Sequence, residues 1–382
     1  MESLAIITGA DVRTFGGGER YALELTKRLK NNFTISYFSR REKVHRINDA
    51  QLGDMLSGKL YYFNAIRIPL SGDWAPLTFS GIKMILNLRR FDTVYIMDHS
   101  IPTIALITFL LRIGRAKTRI ILGIHSPLHL LLQEKKIVKK LLFPIYKQIY
   151  KFVIFSVPNI HVINSESYKL LKFEGYKGNL FFIPNFIYIK KQYKIKLNKN
   201  KFVVLFVGRL QEYEKGIDLL LQIIEKTISK NKEIIFKIVG SGNAKDKILR
   251  LSKIYRKNVK YKGFISDKQL DKEYQNASIF VSTSRSEAFS LVILEAQAHG
   301  LPVISFAVSG PRDIIKKEFQ GELVKPFDTD AFVDSILRYY KFWKNKKENN
   351  TNAKRIIRYI YSKYADKRII PKIVNMLKNN ED

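Results

Sequence analysis

Glu287 and Glu295 lie eight positions apart, between a short apolar segment at 278–282 and a second one at 302–306. Each segment has the length and polar flanks of a buried strand. Between them the sequence predicts a helix of about ten residues ending at His299, because Gly300 suits the C-cap and Pro302 follows it. Glu295 falls inside this otherwise apolar helix, where an unpartnered carboxylate would cost several kcal/mol. It therefore needs a donor, either the hydroxyls of a bound sugar or a buried Lys or Arg. Glu287, in the loop before the helix, is placed to face the same pocket from its rim. The free helix N-terminus near Ala288, Phe289 and Ser290 offers unpaired amides and the positive end of a dipole, an anion site suited to a phosphate.

Two cations stand at comparable places. Arg209 follows a fully apolar run at 202–207, and Lys215 precedes Gly216 at the opening of a helix through Ile217, Leu220 and Ile224. At a strand end and a helix start they are placed to neutralise a diphosphate leaving group, or are two solvated charges. Gly16, Gly17 and Gly18 likewise separate a strand at 4–8 from a helix beginning near Glu19, the arrangement in which backbone amides approach a phosphate closely. His125 follows a strand at 119–124, and Asp98 with His99 follows one at 93–97. In open parallel sheets, strand C-terminal ends carry the ligand sites.

The elements that must hold these residues alternate strand and helix along the chain, which makes it an α/β protein. Further strands are expected at 33–38, 160–164 and 234–239, the last followed by Gly240-Ser241-Gly242, and the stretch at 180–185 ends the first half. A length of 382 residues with 46% hydrophobic and 12% aromatic residues suits two domains with sizeable cores. We expect an N-terminal domain at 1–187, a polar lysine-rich linker at 188–201, a second domain at 202–350 and C-terminal helices at 351–382. No repeat of 20 to 50 residues is apparent.

The pattern Glu287-x7-Glu295, followed by Ala296-x-Ala298-x-Gly300-x-Pro302-Val303, resembles the donor-binding signature of the retaining glycosyltransferases of family 4, the group 1 glycosyl transferases. That resemblance implies a GT-B fold, two Rossmann-like domains facing across a cleft. It also implies that Glu295 binds the nucleotide ribose, while Glu287 and the amides of Ala288, Phe289 and Ser290 contact the donor sugar and diphosphate. Gly208-Arg209-Leu210 and Lys215-Gly216 match the family's diphosphate-holding cations, and Gly16 with Gly17 matches a glycine pair that closes over the diphosphate. Gly240 resembles the family's Gly-x-Gly, Gly263 and Phe264 a loop that lies against the base by backbone contact, and His125 a histidine that reaches the donor sugar. Ser309-Gly310-Pro311 and Gly321-Glu322 continue the likeness. Phe186, after Pro184-Asn185, stands where the family usually has glycine.

The activity so implied is transfer of a hexosyl-type group from a nucleotide-diphosphate sugar to a glycan, lipid-linked or other hydroxyl acceptor. It would proceed with retention, without a metal and without a further cofactor. A nucleotide-sugar epimerase of the same fold is the alternative enzyme, and a basic nucleic-acid-binding protein the alternative of another class.

Composition bears on partners. With 67 Lys+Arg against 34 Asp+Glu the net charge is +33, a surface attractive to nucleic acid, anionic lipid or phosphorylated substrates. The lysines are spread over the whole chain, so a compositional habit accounts for the charge equally well, and no specific nucleic-acid partner is expected. Residues 135–152 read as an amphipathic helix kinked or split by Pro144, with Lys136, Lys140, Lys147 and Lys151 on one face. That face is either solvated or a patch for an anionic membrane surface. Zero cysteines exclude disulfides and thiolate metal sites. The longest apolar run is too short to span a bilayer, so the expected location is cytoplasmic, peripheral at the inner face of the cell membrane if the basic helix docks there.

Overall fold

The structure, a computed structural model, describes residues 1–14, 17–42, 52–53, 55–68, 73–98, 100–113, 117–126, 137–187, 200–343 and 346–378, with the backbone alone at 137–143, 146 and 346–349. Gly16, His99, Lys136 and most of the expected linker at 188–201 lie outside these residues. The chain divides into two compact units, Met1–Phe186 with Asp366–Asp382, and Ile187–Ala365.

In the first unit, seven parallel strands line up in the order β3-β2-β1-β6-β7-β8-β9. They are β1 (Glu2–Thr8), β2 (Phe33–Arg40), β3 (Lys59–Phe63), β6 (Thr93–Met97), β7 (Arg119–Ile124), β8 (Asn159–Val162) and β9 (Asn179–Phe182). A short antiparallel pair, β4 (Ile66–Arg67) and β5 (Trp74–Ala75), stands apart. Helices α1 (Gly17–Leu29), α2 (Phe79–Asn87), α3 (Ile101–Ile113), α4 (Ile137–Ser156) and α5 (Ser165–Phe173) connect them. The core strands are continuous apolar runs because both faces of the sheet are covered. Ala5, Ile7, Val94, Ile96, Ile120 and Leu122 pack with Ile104 and Ile107 of α3 in one cluster.

Helix α4 runs unbroken through Pro144. Its packed side is Tyr150, Val153 and Ile154, whereas Ile145, Ile149 and Phe152 are exposed. The apolar side of this helix is thus partly open to solvent, and Lys147 and Lys151 flank it half-buried.

The second unit has six parallel strands in the order β12-β11-β10-β13-β14-β15. They are β10 (Val203–Val207), β11 (Ile235–Val239), β12 (Val259–Gly263), β13 (Ile279–Ser282), β14 (Val303–Phe306) and β15 (Gly321–Val324). The helices are α6 (Ile217–Lys230), α7 (Lys245–Ile254), α8 (Asp267–Gln275), α9 (Leu291–Ala298), α10 (Ser309–Ile314), α11 (Thr329–Trp343) and α12 (Lys346–Tyr364). Counted within the unit, the strand order is 3-2-1-4-5-6, the doubly wound arrangement of dinucleotide-binding folds, in which ligands bind where the order reverses. That point lies between β10 and β13. Both units are Rossmann-like, and the fold class is GT-B.

The C-terminal helices expected at 351–382 are two. The first, α12, ends at Tyr364, Ile187 donates its amide to the Tyr364 carbonyl at 2.8 Å, and α13 (Asp366–Lys378) begins immediately after. Helix α13 belongs to the first unit, where Arg28 Nε donates to Asp366 Oδ2 at 3.1 Å and Thr93 Oγ1 to the Leu377 carbonyl at 3.0 Å.

Candidate functional site

At the reversal point of the second unit, three loops meet. Gly208-Arg209-Leu210 after β10 is stitched to Gly240-Ser241-Gly242 after β11, with Gly208 N–H donating to Val239 O at 3.1 Å and Leu210 N–H to Ser241 O at 3.0 Å. Gly240 has φ +132°, and a Cβ on it would stand 1.8 Å from the Gly208 carbonyl oxygen. Only glycine allows both this backbone conformation and this approach. Gly240 N–H in turn donates to Gly263 O at 2.8 Å, and the Tyr261 hydroxyl to Gly240 O at 3.0 Å, so the expected base-side loop is joined to the same cluster. Phe264 beside it is 60% exposed, available to a planar ligand.

Arg209 is exposed, and its guanidinium makes no ion pair among the described residues. Lys215 is held more firmly. Its carbonyl accepts from Thr283 Oγ1 at 3.0 Å, and Gly216 after it takes φ 60° to cap α6 against the Thr283 carbonyl. Arg285 clamps the same turn, donating to both carboxylate oxygens of Asp218 at 2.7 and 2.6 Å and to the Tyr213 carbonyl at 3.1 Å. The Arg285 hydrogen bonds hold the Asp218 carboxyl below its usual range. The Lys215 ammonium then reaches Glu287 Oε2 at 2.5 Å, with the two side chains 19% and 14% exposed. A cation and a carboxylate expected to serve a ligand separately are therefore partners in the free protein.

The loop carrying Glu287 leads into α9. Gly310 N–H donates to the Glu287 carbonyl at 2.8 Å, and a Cβ at Gly310 would press on Phe289 backbone atoms at 2.7 Å. Ala288 and Phe289 are buried, and the Phe289 ring meets that of Tyr364 at 5.8 Å. Ser290, at the N-cap, has φ 78° and ψ 81°, a strained conformation for a residue with a side chain, costing of the order of 1–3 kcal/mol. The Ser286 and Ser290 hydroxyls are buried and have no hydrogen-bond partner among the described residues. Orphaned hydroxyls beside the unpaired amides of a helix start suit an anionic ligand with oxygen acceptors. The far end of α9 is capped by Gly300 at φ 82°, as its sequence implies.

Glu295 has a donor that sequence reasoning missed. Tyr274 on α8 donates its hydroxyl to Glu295 Oε2 at 3.0 Å and stacks on His299 with ring centroids 4.9 Å apart. The signal was available: Tyr274 is the one aromatic in the run Asp267–Gln275, polar apart from it and Leu270, and it is 1% exposed.

In the first unit, Gly17 opens α1, and a Cβ on it would meet nothing within 4 Å, so its own backbone leaves space in front. His125 stands at the end of β7 with Nε2 2.8 Å from the Tyr95 hydroxyl, and its ring lies 5.5 Å from that of Tyr21. Burial, then the neighbouring His161, holds its pKa well below the usual imidazole range, so the ring is neutral. Asp98 is buried, receives the Ser100 amide at 3.0 Å and fills the space over Gly9, a turn-stabilising position. Phe186, where the family has glycine, is buried with its ring 5.0 Å from that of Tyr21.

Residues 189–356 match the family model described as glycosyl transferases group 1. An uncharacterised glycosyltransferase of Methanocaldococcus jannaschii is 33% identical over 188 residues, 48% of this chain and 46% of the relative. A poly(ribitol-phosphate) alpha-N-acetylglucosaminyltransferase of Staphylococcus aureus is 29% identical over 208 residues, 52% of this chain and 39% of the relative. The chain thus matches less than half the length of these curated relatives. Among solved structures, S. aureus TarM in complex with fondaparinux, alpha-GlcNAc-glycerol and UDP superposes with a TM-score of 0.75 at 15% identity, covering 100% of both chains. The lipopolysaccharide outer core galactosyltransferase WaaB, in its apo form, gives 0.71 at 20% identity, covering 99% of this chain and 100% of the other. At such identities the structures establish the fold alone. Residues 189–356 of the chain are thus similar to the glycosyl transferases group 1.

Proposed function

We propose that the chain transfers a glycosyl group from a nucleotide-diphosphate sugar to a hydroxyl of a glycan or lipid-linked acceptor, with retention of anomeric configuration. The observation that carries this reading is the Lys215–Glu287 pair standing at the loop before α9, with Arg209 on the adjoining strand end. When a diphosphate arrives, Lys215 exchanges its carboxylate partner for phosphate oxygens, and Glu287 is released to accept hydrogen bonds from sugar hydroxyls. Arg209, Lys215 and the helix start stabilise the negative charge that grows on the departing diphosphate. The bond from the anomeric carbon to the phosphate oxygen breaks, the acceptor oxygen bonds to the same face, and its proton passes to the leaving phosphate. Glu295, oriented by Tyr274, receives the ribose hydroxyls. His125 receives a hydroxyl of the sugar. Two cations and a dipole carry the charge, so the transfer proceeds without a metal.

The neighbours support the donor class: pneumococcal GtfA is described in complex with UDP and GlcNAc, and TarM with UDP. The acceptor side is supported by α4, whose exposed Ile145, Ile149 and Phe152, flanked by Lys147, suit the surface of an anionic membrane, while Lys151 is held by Glu174 at 2.7 Å. No helix among the described residues is long and apolar enough to cross a membrane.

The test is a panel of sugar nucleotides screened by thermal shift, followed by NMR of the product formed with an acceptor, with and without EDTA. A matching donor at a hundred times its dissociation constant adds about 2.7 kcal/mol of stability. The reading expects an unchanged anomeric configuration and unchanged rate in EDTA. A donor converted to its epimer without any acceptor, or no sugar nucleotide that stabilises the protein, overturns it.

A further inference from the structure

Three neighbouring strands of the first unit bring Tyr95, His125 and His161 into one hydrogen-bonded chain. Tyr95 lies on β6, His125 follows β7, and His161 lies on β8. To reach His161 the Tyr95 side chain must cross β7, and it does so at Gly123, where a Cβ would stand 2.7 Å from the Tyr95 hydroxyl. That hydroxyl lies 2.6 Å from His161 Nδ1 and 2.8 Å from His125 Nε2, and His161 Nε2 lies 2.7 Å from the Ile183 carbonyl oxygen. Tyr95 is 1% and His161 0% exposed.

The direction of every hydrogen bond follows from one end. A carbonyl only accepts, so His161 Nε2 carries a proton. Buried and neutral, His161 then has a bare Nδ1, which accepts the hydroxyl proton of Tyr95. Tyr95 has no second proton, so its oxygen accepts from His125 Nε2–H. His125 is left with a bare Nδ1, and among the described residues it has no other hydrogen bond.

We propose that Tyr95 and His161 are positioning residues that lock His125 in its Nε2–H tautomer, so that Nδ1 accepts a hydrogen bond from a hydroxyl of the donor sugar. This rests on the reading of His125 as a sugar-facing residue. It excludes the opposite arrangement, in which the ring donates to a phosphate or a carbonyl of the ligand. The unligated chain already carries the tautomer, so the ring is pre-set before the donor arrives.

The test is two-bond proton–nitrogen correlation NMR of the full chain labelled with 15N-histidine, at pH 7.5, with His125 assigned from the signal lost in His125→Asn. The proposal expects His125 as a neutral ring protonated at Nε2, and loss of that single-tautomer pattern in Tyr95→Phe. A His125 protonated at Nδ1 or doubly protonated overturns it, as does an unchanged pattern in a folded Tyr95→Phe. The wild-type spectrum decides the tautomer even if the variant fails to fold, and even if no glycosyl transfer is ever detected, so failure of the functional reading is separately visible. Where transfer is measured, Tyr95→Phe lowers kcat/KM roughly tenfold, the kinetic equivalent of about one neutral hydrogen bond. Unchanged kcat/KM overturns the role of the lock in binding the sugar.

Discussion

Lys215 Nζ stands 2.5 Å from Glu287 Oε2, joining residues 72 apart in sequence across the start of one helix and the loop before another. The pair is self-neutralising while the site is empty and separable when an anion enters, because each member has a ligand group to replace the other. Leaving either side chain alone in this half-buried place costs up to about 3 kcal/mol.

Arg209 and Lys215 therefore respond differently to truncation. Turnover in Arg209→Ala and in Lys215→Ala falls at least about a hundredfold, as expected for removal of a charge that stabilises the leaving group. Stability changes by no more than about 0.5 kcal/mol in Arg209→Ala, since its side chain is exposed. It falls further in Lys215→Ala, which strands Glu287. Steady-state kinetics with urea unfolding of both variants checks this; near-normal turnover in both contradicts it.

Gly240→Ala places a methyl 1.8 Å from the Gly208 carbonyl oxygen at a positive φ. The strain exceeds the usual cost of a few kcal/mol for such a backbone position, and the Gly208 to Leu210 turn that carries Arg209 must shift. We expect a lower melting temperature together with weakened nucleotide binding, measured by calorimetry. A variant with wild-type values for both would show that the loop contact is not needed.

Much of this was legible in the sequence, and the exceptions share a cause. Strands β6 and β7 have the predicted bounds because continuous apolar runs bracketed by polar residues are buried on both faces. Helix α9 ends where Gly300 says it must. By contrast, helical periodicity continues through Tyr364, Ala365 and Asp366, and the break there is made by Ile187, distant in sequence. The α4 residues Ile145, Ile149 and Phe152 are apolar yet exposed, since periodicity identifies a face without saying what covers it. Likewise, each of Lys215, Glu287 and Glu295 was visible as a charged residue in context, but not which partner it meets, and Tyr274 was not singled out at all. Pairing is a property of the tertiary fold, and Phe186 in the family's glycine position packs its ring 5.0 Å from that of Tyr21.

Stability should fall in mild acid. Burial lowers the pKa of His161 to about 4, and those of His125 and His299 move in the same direction. The unfolded chain, with imidazoles near 6.5, binds more protons than the native one, so stability is fully present above pH 6.5 and is lost as pH falls toward the folded pKa. From pH 7.5 to 5 the His161 share is about 2 kcal/mol. Urea midpoints across that interval check the sign, and a flat profile contradicts it.

Exposed apolar residues on α4 make the membrane reading accessible to experiment. The triple variant Ile145→Ser, Ile149→Ser, Phe152→Ser loses flotation with anionic vesicles while its melting temperature holds, because these side chains are 59%, 50% and 76% exposed. Equal flotation of wild type with neutral and anionic vesicles, or none with either, removes the proposal.

The most direct test of the account is calorimetric titration of the wild-type chain and Lys215→Ala with a panel of nucleoside diphosphates, each variant checked for folding. The account predicts that at least one diphosphate binds the wild type and that Lys215→Ala weakens it at least tenfold, the effect of about 1.4 kcal/mol. Equal affinity in the two proteins, or no binding to the wild type by any member of the panel, contradicts it.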